Sequence, residues 1–161
     1  MAKDKIPMTP AVRALRSLGV SFIPRAYAYE DKGGTAVAAR ELKVDEHRVI
    51  KTLVLEDEGH NPLLMLMHGD CQVSTKALGR ILGVKQVMPC DQATVTRHTG
   101  YQVGGVSPFG TKRPLPVYVE RGVLALPAIL INGGKRGFLV EIDPAELCRL
   151  LGAKAVEAAQ D

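Results

Sequence analysis

The segment with the most unusual composition runs from Thr99 to Gly110 and reads TGYQVGGVSPFG. Four of its twelve residues are glycine and one is proline. Neither suits the interior of a helix or strand, because glycine loses much conformational entropy on folding and proline lacks a backbone N–H. Such a backbone turns sharply and lets a ligand approach without hindrance from Cβ atoms. The spacing matches neither the Walker loop nor the dinucleotide fingerprint, so the segment is either a ligand-contacting loop or a plain glycine-rich turn.

Two further features could act together with this loop. A second glycine turn, Asn132–Gly137, reads NGGKRG, and its backbone N–H groups could hold a phosphate or a developing oxyanion. Its Lys135 and Arg136 would add positive charge there, or would form the solvated tip of a hairpin. Lys51 lies in a predicted strand among apolar neighbours, so its ammonium either reaches the sheet edge or faces a cavity that holds an anion. If the three features meet, they form a site that orients an ester and stabilises its oxyanion.

No protein nucleophile is evident from the motifs. The G-x-S-x-G elbow of serine hydrolases does not occur, and Ser107 precedes a proline in the glycine loop, which suits orienting a ligand. The cysteines form no C-x-x-C pair, and Cys90 has Asp91 beside it, which would raise the pKa of its thiol. The four histidines show no metal-ligand spacing: His47, His60, His68 and His98. We therefore expect no metal or other cofactor, and a nucleophile supplied by water or by the substrate.

Length and charge narrow the classes of partner. The 161 residues predict one domain spanning residues 1–161. A net charge of +4 favours a polyanion, yet no run of Lys and Arg suits the wrapping of duplex DNA. Aromatic residues are only 4%, too few to stack several bases, so a nucleic acid would be held at its phosphates or at one terminal nucleotide. No segment resembles a membrane span or a signal peptide, which together with the scattered cysteines predicts a cytoplasmic protein.

Hydrophobic periodicity and capping residues predict a mixture of helices and strands. Helices are expected at residues 9–19, 35–42, 74–83, 91–100 and 143–152, and strands at residues 21–29, 49–55, 63–67, 84–88, 117–120, 128–131 and 138–142. The tail, residues 153–161, is expected to be helical or frayed. Because strands and helices do not alternate regularly, the order favours an α+β fold: a single compact domain with a mixed, partly barrel-like sheet flanked by helices.

These motifs resemble a known family. The chain resembles the YbaK/ProX aminoacyl-tRNA deacylases, most closely the YbaK type that acts on Cys-tRNA(Pro). The resemblance begins at Thr9–Val12 (TPAV), continues through Ile50–Leu53 (IKTL), and is strongest at TGYQVGGVSPFG and at Gly133–Gly137 (GGKRG). It implies a fold related to the editing domain of bacterial prolyl-tRNA synthetases and hydrolysis of the ester that joins a wrong amino acid to tRNA. The implied partners are the aminoacylated 3′ end of tRNA and prolyl-tRNA synthetase.

The resemblance also implies roles for single residues. Lys51 would be the essential cation at the ester or phosphate end of the substrate, and Gly104 would act with it at the carbonyl. The residues implied in substrate binding are Tyr27, Thr52, Gly105, Ser107, Pro108, Asn132, Gly133, Gly134, Lys135 and Arg136. In YbaK-type members the thiol of the substrate cysteine attacks its own carbonyl, which agrees with the missing protein nucleophile. If that thiol cyclises, the reaction is that of a lyase.

Two positions depart from the family pattern. Asn132 stands where members often carry Ser, and Leu139 stands where they often carry Asp. Both are expected near the pocket, so the substrate is either Cys-tRNA(Pro), with Cys-tRNA(Cys) as a second one, or another mischarged tRNA such as Ala-tRNA(Pro). The missing acid at Leu139 also leaves open a different class of protein, one that binds tRNA ends or nucleotides without hydrolysing them.

Overall fold

The computed structural model describes residues 6–160 of the chain. Its helices are α1 (Pro10–Ser17), α2 (Gly34–Leu42), α3 (Thr75–Leu82), α4 (Gln92–Thr99), α5 (Arg121–Leu124) and α6 (Ala145–Leu151), with a single 3-10 turn at Glu46–Arg48. Its strands are β1 (Ile23–Ala26), β2 (Val49–Asp57), β3 (Pro62–His68), β4 (Gln72–Val73), β5 (Val87–Pro89), β6 (Val117–Glu120), β7 (Ile129–Lys135), β8 (Phe138–Ile142), β9 (Lys154–Val156) and β10 (Ala159–Gln160). The predicted α+β class is confirmed.

The main sheet mixes parallel and antiparallel strands. Seven strands follow the order β1-β8-β7-β2-β3-β6-β9, and β5 pairs with β2 away from this path. The β2–β3, β7–β8, β1–β8 and β2–β5 pairs are antiparallel, whereas β2–β7, β3–β6 and β6–β9 are parallel. Strands β4 and β10 form a separate antiparallel pair. The mixed sheet expected from the order of elements is therefore confirmed, and β2 lies at its centre.

Strand β2 is packed on both of its faces. Ile50 and Val54 belong to the largest apolar cluster, which also holds Ala11, Val12 and Leu15 of α1. On the other side of the strand, residues of β2 enter two smaller clusters, one around α2 and one around α3. Because apolar burial is the main favourable term in folding, these contacts fix β2 firmly in the molecule. Any side chain that β2 carries toward a cavity is thus held on a rigid support.

Capping follows the sequence at most helix ends. Thr9 caps α1, since its Oγ1 accepts a hydrogen bond from the Val12 N–H at 3.0 Å. Thr35 does not cap α2 as predicted: Gly33 occupies the cap position, and the Thr35 hydroxyl donates to Gly69 O at 3.1 Å instead. This threonine is therefore used for a tertiary contact, which local sequence cannot reveal.

The tail differs from its prediction. Residues 154–156 add a parallel strand beside β6, and Ala159 and Gln160 pair with β4. The tail therefore extends one sheet and completes a second, because strand edges with free N–H and C=O groups are available to it. None of the helices within residues 6–160 has both the length and the apolar character to span a membrane.

Candidate active site

A cleft opens along one edge of β2. On this edge β2 pairs with β7 only at Val49 and Ile50, and with β5 only from Leu55 to Asp57. The stretch between these pairings has no neighbouring strand on that side within residues 6–160, so the sheet parts there. The resulting cleft has a volume of about 820 Å³, in the range typical of small-molecule sites.

Lys51 lies where the two strands separate. It directly follows the last residue that pairs with β7, it is partly buried, and it lines the cleft. On the other edge of β2 it is opposite Met67 of β3, one residue from the end of the β2–β3 ladder. The sequence left open a lysine at a sheet edge or a lysine facing a cavity, and both descriptions apply to Lys51, because the free edge of β2 is the wall of the cleft. That its ammonium holds an anion there stays a prediction.

Thr52, the next residue, also lines the cleft. Its Oγ1 is buried and has no hydrogen-bond partner within the described part of the chain. A buried hydroxyl without a partner costs free energy of about 1–3 kcal/mol, which a ligand that bonds to it would recover. The hydroxyl is therefore available to a molecule bound in the cleft.

Two tyrosines line the cleft beyond the end of β1. Tyr27 and Tyr29 are alternate residues, and both contribute to its surface. Burial, together with the neighbouring Tyr29, raises the pKa of the Tyr27 phenol, so this group stays protonated and can donate a hydrogen bond at neutral pH. The sequence motif placed only Tyr27 at the site; the alternation of the two tyrosines was the signal for Tyr29.

The glycine loop, residues 99–110, forms part of the opposite wall. It starts where α4 ends at Gly100, in the left-handed conformation. The Tyr101 hydroxyl donates to Phe109 O at 2.5 Å and so closes the loop on itself, and burial raises the pKa of this phenol. Gly104, with φ +93°, carries the loop into the cleft. A Cβ atom there would lie 2.7 Å from the Tyr29 hydroxyl, so a larger residue would strain the backbone and displace the tyrosine.

The hairpin turn, residues 132–137, connects β7 to β8 through a bulge between Asn132 and Lys135. The Asn132 Oδ1 accepts hydrogen bonds from the N–H groups of Gly134 at 2.6 Å and of Lys135 at 3.1 Å. These two amides were expected to be free to bind an anion. Because a side chain of the protein already satisfies them, that part of the expected anion cradle is wrong.

The two glycine segments meet at their backbones. Asn132 Nδ2 donates to Gly104 O at 3.2 Å, and Arg136 Nε donates to Val103 O at 3.0 Å. A Cβ atom on Gly105 would lie 2.9 Å from the backbone nitrogen of Arg136. The Arg136 guanidinium also lies 5.5 Å from the centroid of the Tyr29 ring, a cation–π contact. The loop and the hairpin turn therefore form one continuous wall.

The structure divides the residues that the sequence assigned to the site. Those that line the cleft are Tyr27, Lys51, Thr52, Gly104, Asn132 and Arg136. Those that do not line it are Gly105, Ser107, Pro108, Gly133, Gly134 and Lys135. Substrate contact by any of the twelve stays a prediction.

Three members of the second group, Ser107, Gly133 and Gly134, support the wall from behind, whereas Lys135 is exposed. Ser107 is fully buried, and its Oγ accepts a hydrogen bond from the Phe109 N–H at 3.1 Å. Gly133 O accepts from the Thr9 hydroxyl, and a Cβ atom on Gly134 would lie 2.9 Å from the Tyr101 ring. These residues are therefore packed against α1 and the loop interior.

Several cleft residues were not assigned to the site by the motifs, whereas Leu139 was expected near the pocket and does line the cleft. Val103 follows from its position beside Gly104, and Leu139 lies on β8 opposite Asn132. Cys90 reaches the cleft because its N–H donates to Val54 O at 3.1 Å, a contact between distant segments. Leu139 is buried, so the position where family members often carry an acid is here an apolar part of the surface.

Cys90 is unsuited to attack a substrate. Burial, with the nearby Glu56 and Asp91 carboxylates, raises the pKa of its thiol to about 11. The thiolate is the reactive form, so this cysteine is almost wholly protonated at neutral pH. Burial contributes most to this raised pKa, and it adds to the effect of the adjacent Asp91 carboxylate that the sequence indicated. The described cleft thus combines the ammonium groups of Lys32 and Lys51, the guanidinium of Arg136, hydroxyl groups and the backbone of Gly104.

Sequence comparison relates this chain to known proteins over most of its length. The sequence profile of the aminoacyl-tRNA editing domain family matches residues 30–150. Over 159 residues the chain is 29% identical to EbsC of Enterococcus faecalis, a proposed Cys-tRNA(Pro)/Cys-tRNA(Cys) deacylase, covering 98% of this chain and 97% of that protein. Proline–tRNA ligase of Brachyspira hyodysenteriae is 26% identical over 120 residues, which are 68% of this chain and 21% of the ligase.

A solved structure shares the fold along nearly the whole chain. The crystal structure of a proposed trans-editing enzyme for prolyl-tRNA synthetase superposes with a TM-score of 0.82 and 24% identity, covering 98% of this chain and 100% of that one. The family profile spans three quarters of the sequence and includes β2, the glycine loop and the hairpin turn. The chain therefore belongs to the aminoacyl-tRNA editing domain family.

Proposed function

We propose that this protein is a trans-editing deacylase that hydrolyses the ester of mischarged Cys-tRNA(Pro), with Cys-tRNA(Cys) as a second substrate. The observation that carries the proposal is the position of Lys51, partly buried at the free edge of β2 in a cleft that Gly104 closes from the other side. Family membership supports the reaction class, and the end-to-end similarity to EbsC supports the cysteinyl substrate.

In this proposal the cleft holds the aminoacyl ester at the 3′ terminus of tRNA. Attack on the ester carbonyl places negative charge on its oxygen, and a nearby cation lowers the energy of that charge more than that of the neutral carbonyl. Lys51 supplies the cation. The N–H of Gly104 is the second donor that we assign to the oxyanion, since it has no acceptor among residues 6–160. The Thr52 hydroxyl and the two tyrosines orient the aminoacyl group.

The nucleophile comes from outside the protein chain. The Cys90 thiol, with a pKa of about 11, is too weakly ionised to serve. The thiol of the cysteinyl substrate attacks its own carbonyl: the S–C bond forms, the C–O ester bond breaks, and the proton of the thiol ends on the 3′ oxygen of the released tRNA. The cysteine leaves as a cyclic thioester, which water then hydrolyses to the free amino acid. The protein then acts by positioning and by electrostatic stabilisation, which together account for large rate factors in other enzymes.

The proposed deacylase domain includes all 161 residues. The family profile begins at residue 30, yet α1 lies before it and supports the site, because the Thr9 hydroxyl bonds to Gly133 O in the hairpin turn. Since the homologous region is a fifth of the Brachyspira ligase, we also propose that this chain works beside prolyl-tRNA synthetase and takes mischarged tRNA from it.

The test is deacylation of a panel of charged tRNAs by the wild-type protein and by Lys51→Ala. We expect hydrolysis of Cys-tRNA(Pro) by the wild type and a loss of about a hundredfold or more in kcat/KM for Lys51→Ala. The matched control is Lys85→Ala, which removes an exposed lysine outside the cleft and should leave the rate unchanged. Normal hydrolysis by Lys51→Ala would overturn the proposal.

The aminoacyl group separates the competing functions. Faster hydrolysis of Cys-tRNA(Pro) than of Ala-tRNA(Pro) is expected, because alanine has no thiol. Equal rates for the two substrates would indicate that water, and not the thiol of the substrate, attacks the ester. Tight binding of uncharged tRNA without hydrolysis of any charged tRNA would instead indicate a binding module.

A further inference from the structure

Three side chains with metal-binding atoms meet outside the residues assigned to deacylation. The His47 Nδ1 is 2.8 Å from Oδ1 of Asp70, and Sγ of Cys71 is 3.5 Å from the same oxygen. The nitrogen, oxygen and sulfur atoms all lie within 4.8 Å of one another. One imidazole, one carboxylate and one thiol thus face a common point.

The register of the β2–β3 pair brings these residues together. His47 belongs to the 3-10 turn just before β2, and Asp70 and Cys71 come just after β3. Ile50 lies opposite His68 at this end of the antiparallel ladder, so the segments that flank the two strands run side by side. The cluster is therefore fixed by a central part of the sheet.

The imidazole is held in place before any ligand binds. The His47 ring stacks on the ring of His68, with centroids 3.6 Å apart and planes within 7°. His68 is buried, and its Nδ1–H donates to the carbonyl of His47 at 2.9 Å. Such support fixes the plane and direction of a metal-binding imidazole, as outer partners do in metal sites.

The turn that carries the other two side chains is also fixed. Thr35 donates to Gly69 O at 3.1 Å, and a Cβ atom on Gly69 would lie 2.6 Å from the Thr35 hydroxyl. Gly69 is buried, and Asp70 directly follows it. The carboxylate therefore extends from a tightly packed turn toward His47.

We propose that His47, Asp70 and Cys71 bind a zinc ion. Nitrogen, oxygen and thiolate sulfur are all zinc ligands, and a tetrahedral site with usual bond lengths separates its ligand atoms by about 3.5 Å. The 3.5 Å between Cys71 Sγ and Asp70 Oδ1 matches that spacing, whereas the 2.8 Å between His47 Nδ1 and Asp70 Oδ1 is shorter, so these two side chains move slightly apart when the ion enters. Three protein ligands leave the fourth position to water, and the partly exposed His47 and Asp70 give the ion a path from solvent.

Zinc at this point connects the start of β2 to the rim of the cleft. Gln72 and Val73, which directly follow Cys71, line the cleft, and Lys51 is four residues after His47. The ion closes a loop between residues 47 and 71, and it binds the folded chain more strongly than the unfolded one. Its main effect is to stabilise the fold on this side of the cleft.

The test is metal binding by the purified full-length protein after treatment with a chelator. Titration with Co²⁺ should give one equivalent of bound metal, with intense d–d absorption of a tetrahedral site and a thiolate-to-cobalt charge-transfer band in the near ultraviolet. Zn²⁺ should displace the cobalt and raise the thermal midpoint of the wild type. Cys71→Ser should abolish the charge-transfer band, and Asp70→Asn should weaken zinc binding by roughly tenfold or more.

Cys148→Ser is the matched control, since it removes an exposed thiol far along the chain and should keep both the band and the zinc affinity. His47→Ala, at an exposed ring, gives a second test if Cys71→Ser fails to fold. Absence of a thiolate band in the wild type, or the same zinc affinity in wild type, Cys71→Ser and His47→Ala, would overturn the proposal and leave an ion pair of His47 with Asp70. Deacylation does not enter the measurement, so the result is independent of the proposed function.

Discussion

The glycine loop, residues 99–110, and the hairpin turn, residues 132–137, are both rich in glycine but have different structural roles. In the glycine loop, Gly104 reaches the cleft surface. In the hairpin turn, Gly133 and Gly134 face away from the cleft, against Phe138 in one case and against Tyr101 and Thr9 in the other. One segment thus forms the surface that a substrate meets, and the other supports that surface from behind. Glycine content alone marks close approach of a backbone, and the neighbour that approaches can be a ligand or the protein itself.

The largest effect is expected from Gly134→Ala. Gly134 has φ +100°, and a Cβ atom would lie 2.9 Å from the buried Tyr101 ring. The strained backbone and the clash together should lower the free energy of unfolding by about 3 kcal/mol. Urea denaturation measures this loss, and kcat/KM per folded molecule should change little.

Gly79→Ala is the control for that variant. Gly79 lies inside α3, and a Cβ atom there would have its nearest neighbour at an ordinary 3.6 Å. Removing a glycine from a helix interior should raise the free energy of unfolding by about 0.5–1 kcal/mol. If Gly134→Ala proved as stable as wild type, the supporting role of the hairpin turn would be wrong.

Gly104→Ala should affect activity more than stability. The positive φ and the Tyr29 hydroxyl at 2.7 Å oppose a Cβ atom, yet that hydroxyl ends a side chain that can move, so a loss of about 1–2 kcal/mol is expected. The methyl group would stand at the cleft surface, where it should lower kcat/KM at least about tenfold. Denaturation and deacylation measured on the same preparation separate the two effects.

The double variant Gly104→Ala/Tyr29→Phe tests whether the clash with the Tyr29 hydroxyl causes the loss of stability. Removing the hydroxyl should restore part of the stability but not the activity. Unchanged kcat/KM in Gly104→Ala would erase the distinction between the two glycine segments.

Asn132→Ala should weaken both segments together. It removes the acceptor for Gly134 and Lys135 and the donor to Gly104 O. Loss of these bonds should lower the free energy of unfolding by about 1–2 kcal/mol and reduce kcat/KM, since the loop loses its link to the hairpin turn. Asn132→Asp keeps the acceptor but not the donor, so it should retain most of the stability while losing activity. Equal stability of the two variants would show that the hydrogen bonds accepted by the Asn132 Oδ1 contribute nothing, and full activity of Asn132→Asp would show that the link to Gly104 has no role.

Arg136→Ala should have the smallest effect. Its guanidinium is exposed, donates to Val103 O and lies over the Tyr29 ring, contacts that solvent competes for. We expect a loss of less than about 1 kcal/mol in stability. A reduction of kcat/KM that Arg136→Lys rescues at low ionic strength would assign the residue a charge role toward tRNA. Unchanged kcat/KM in both variants would show that Arg136 only helps to form the wall of the cleft.

Sequence alone determined the local structure and the reaction class. Caps such as Thr9, the positions of most helices and strands, and the two glycine segments follow from spacing and residue type, because these depend on neighbours within a few residues. The specific string TGYQVGGVSPFG indicated the editing family before any coordinates, and the profile match at residues 30–150 confirms it.

Tertiary structure decided where those residues act. The cleft exists because β2 is unpaired between β7 and β5, a property of strand order that no local pattern records. The bonds of Asn132 to the amides two and three residues on are, by contrast, a local contact typical of asparagine in turns. Strand pairing with β6 and β4 turned the tail into strands. Pairing of β2 with β3 gathered His47, Asp70 and Cys71, whose separation along the chain hid them from any spacing rule. Contacts between distant segments depend on register and burial, and these are fixed only when the whole sheet forms.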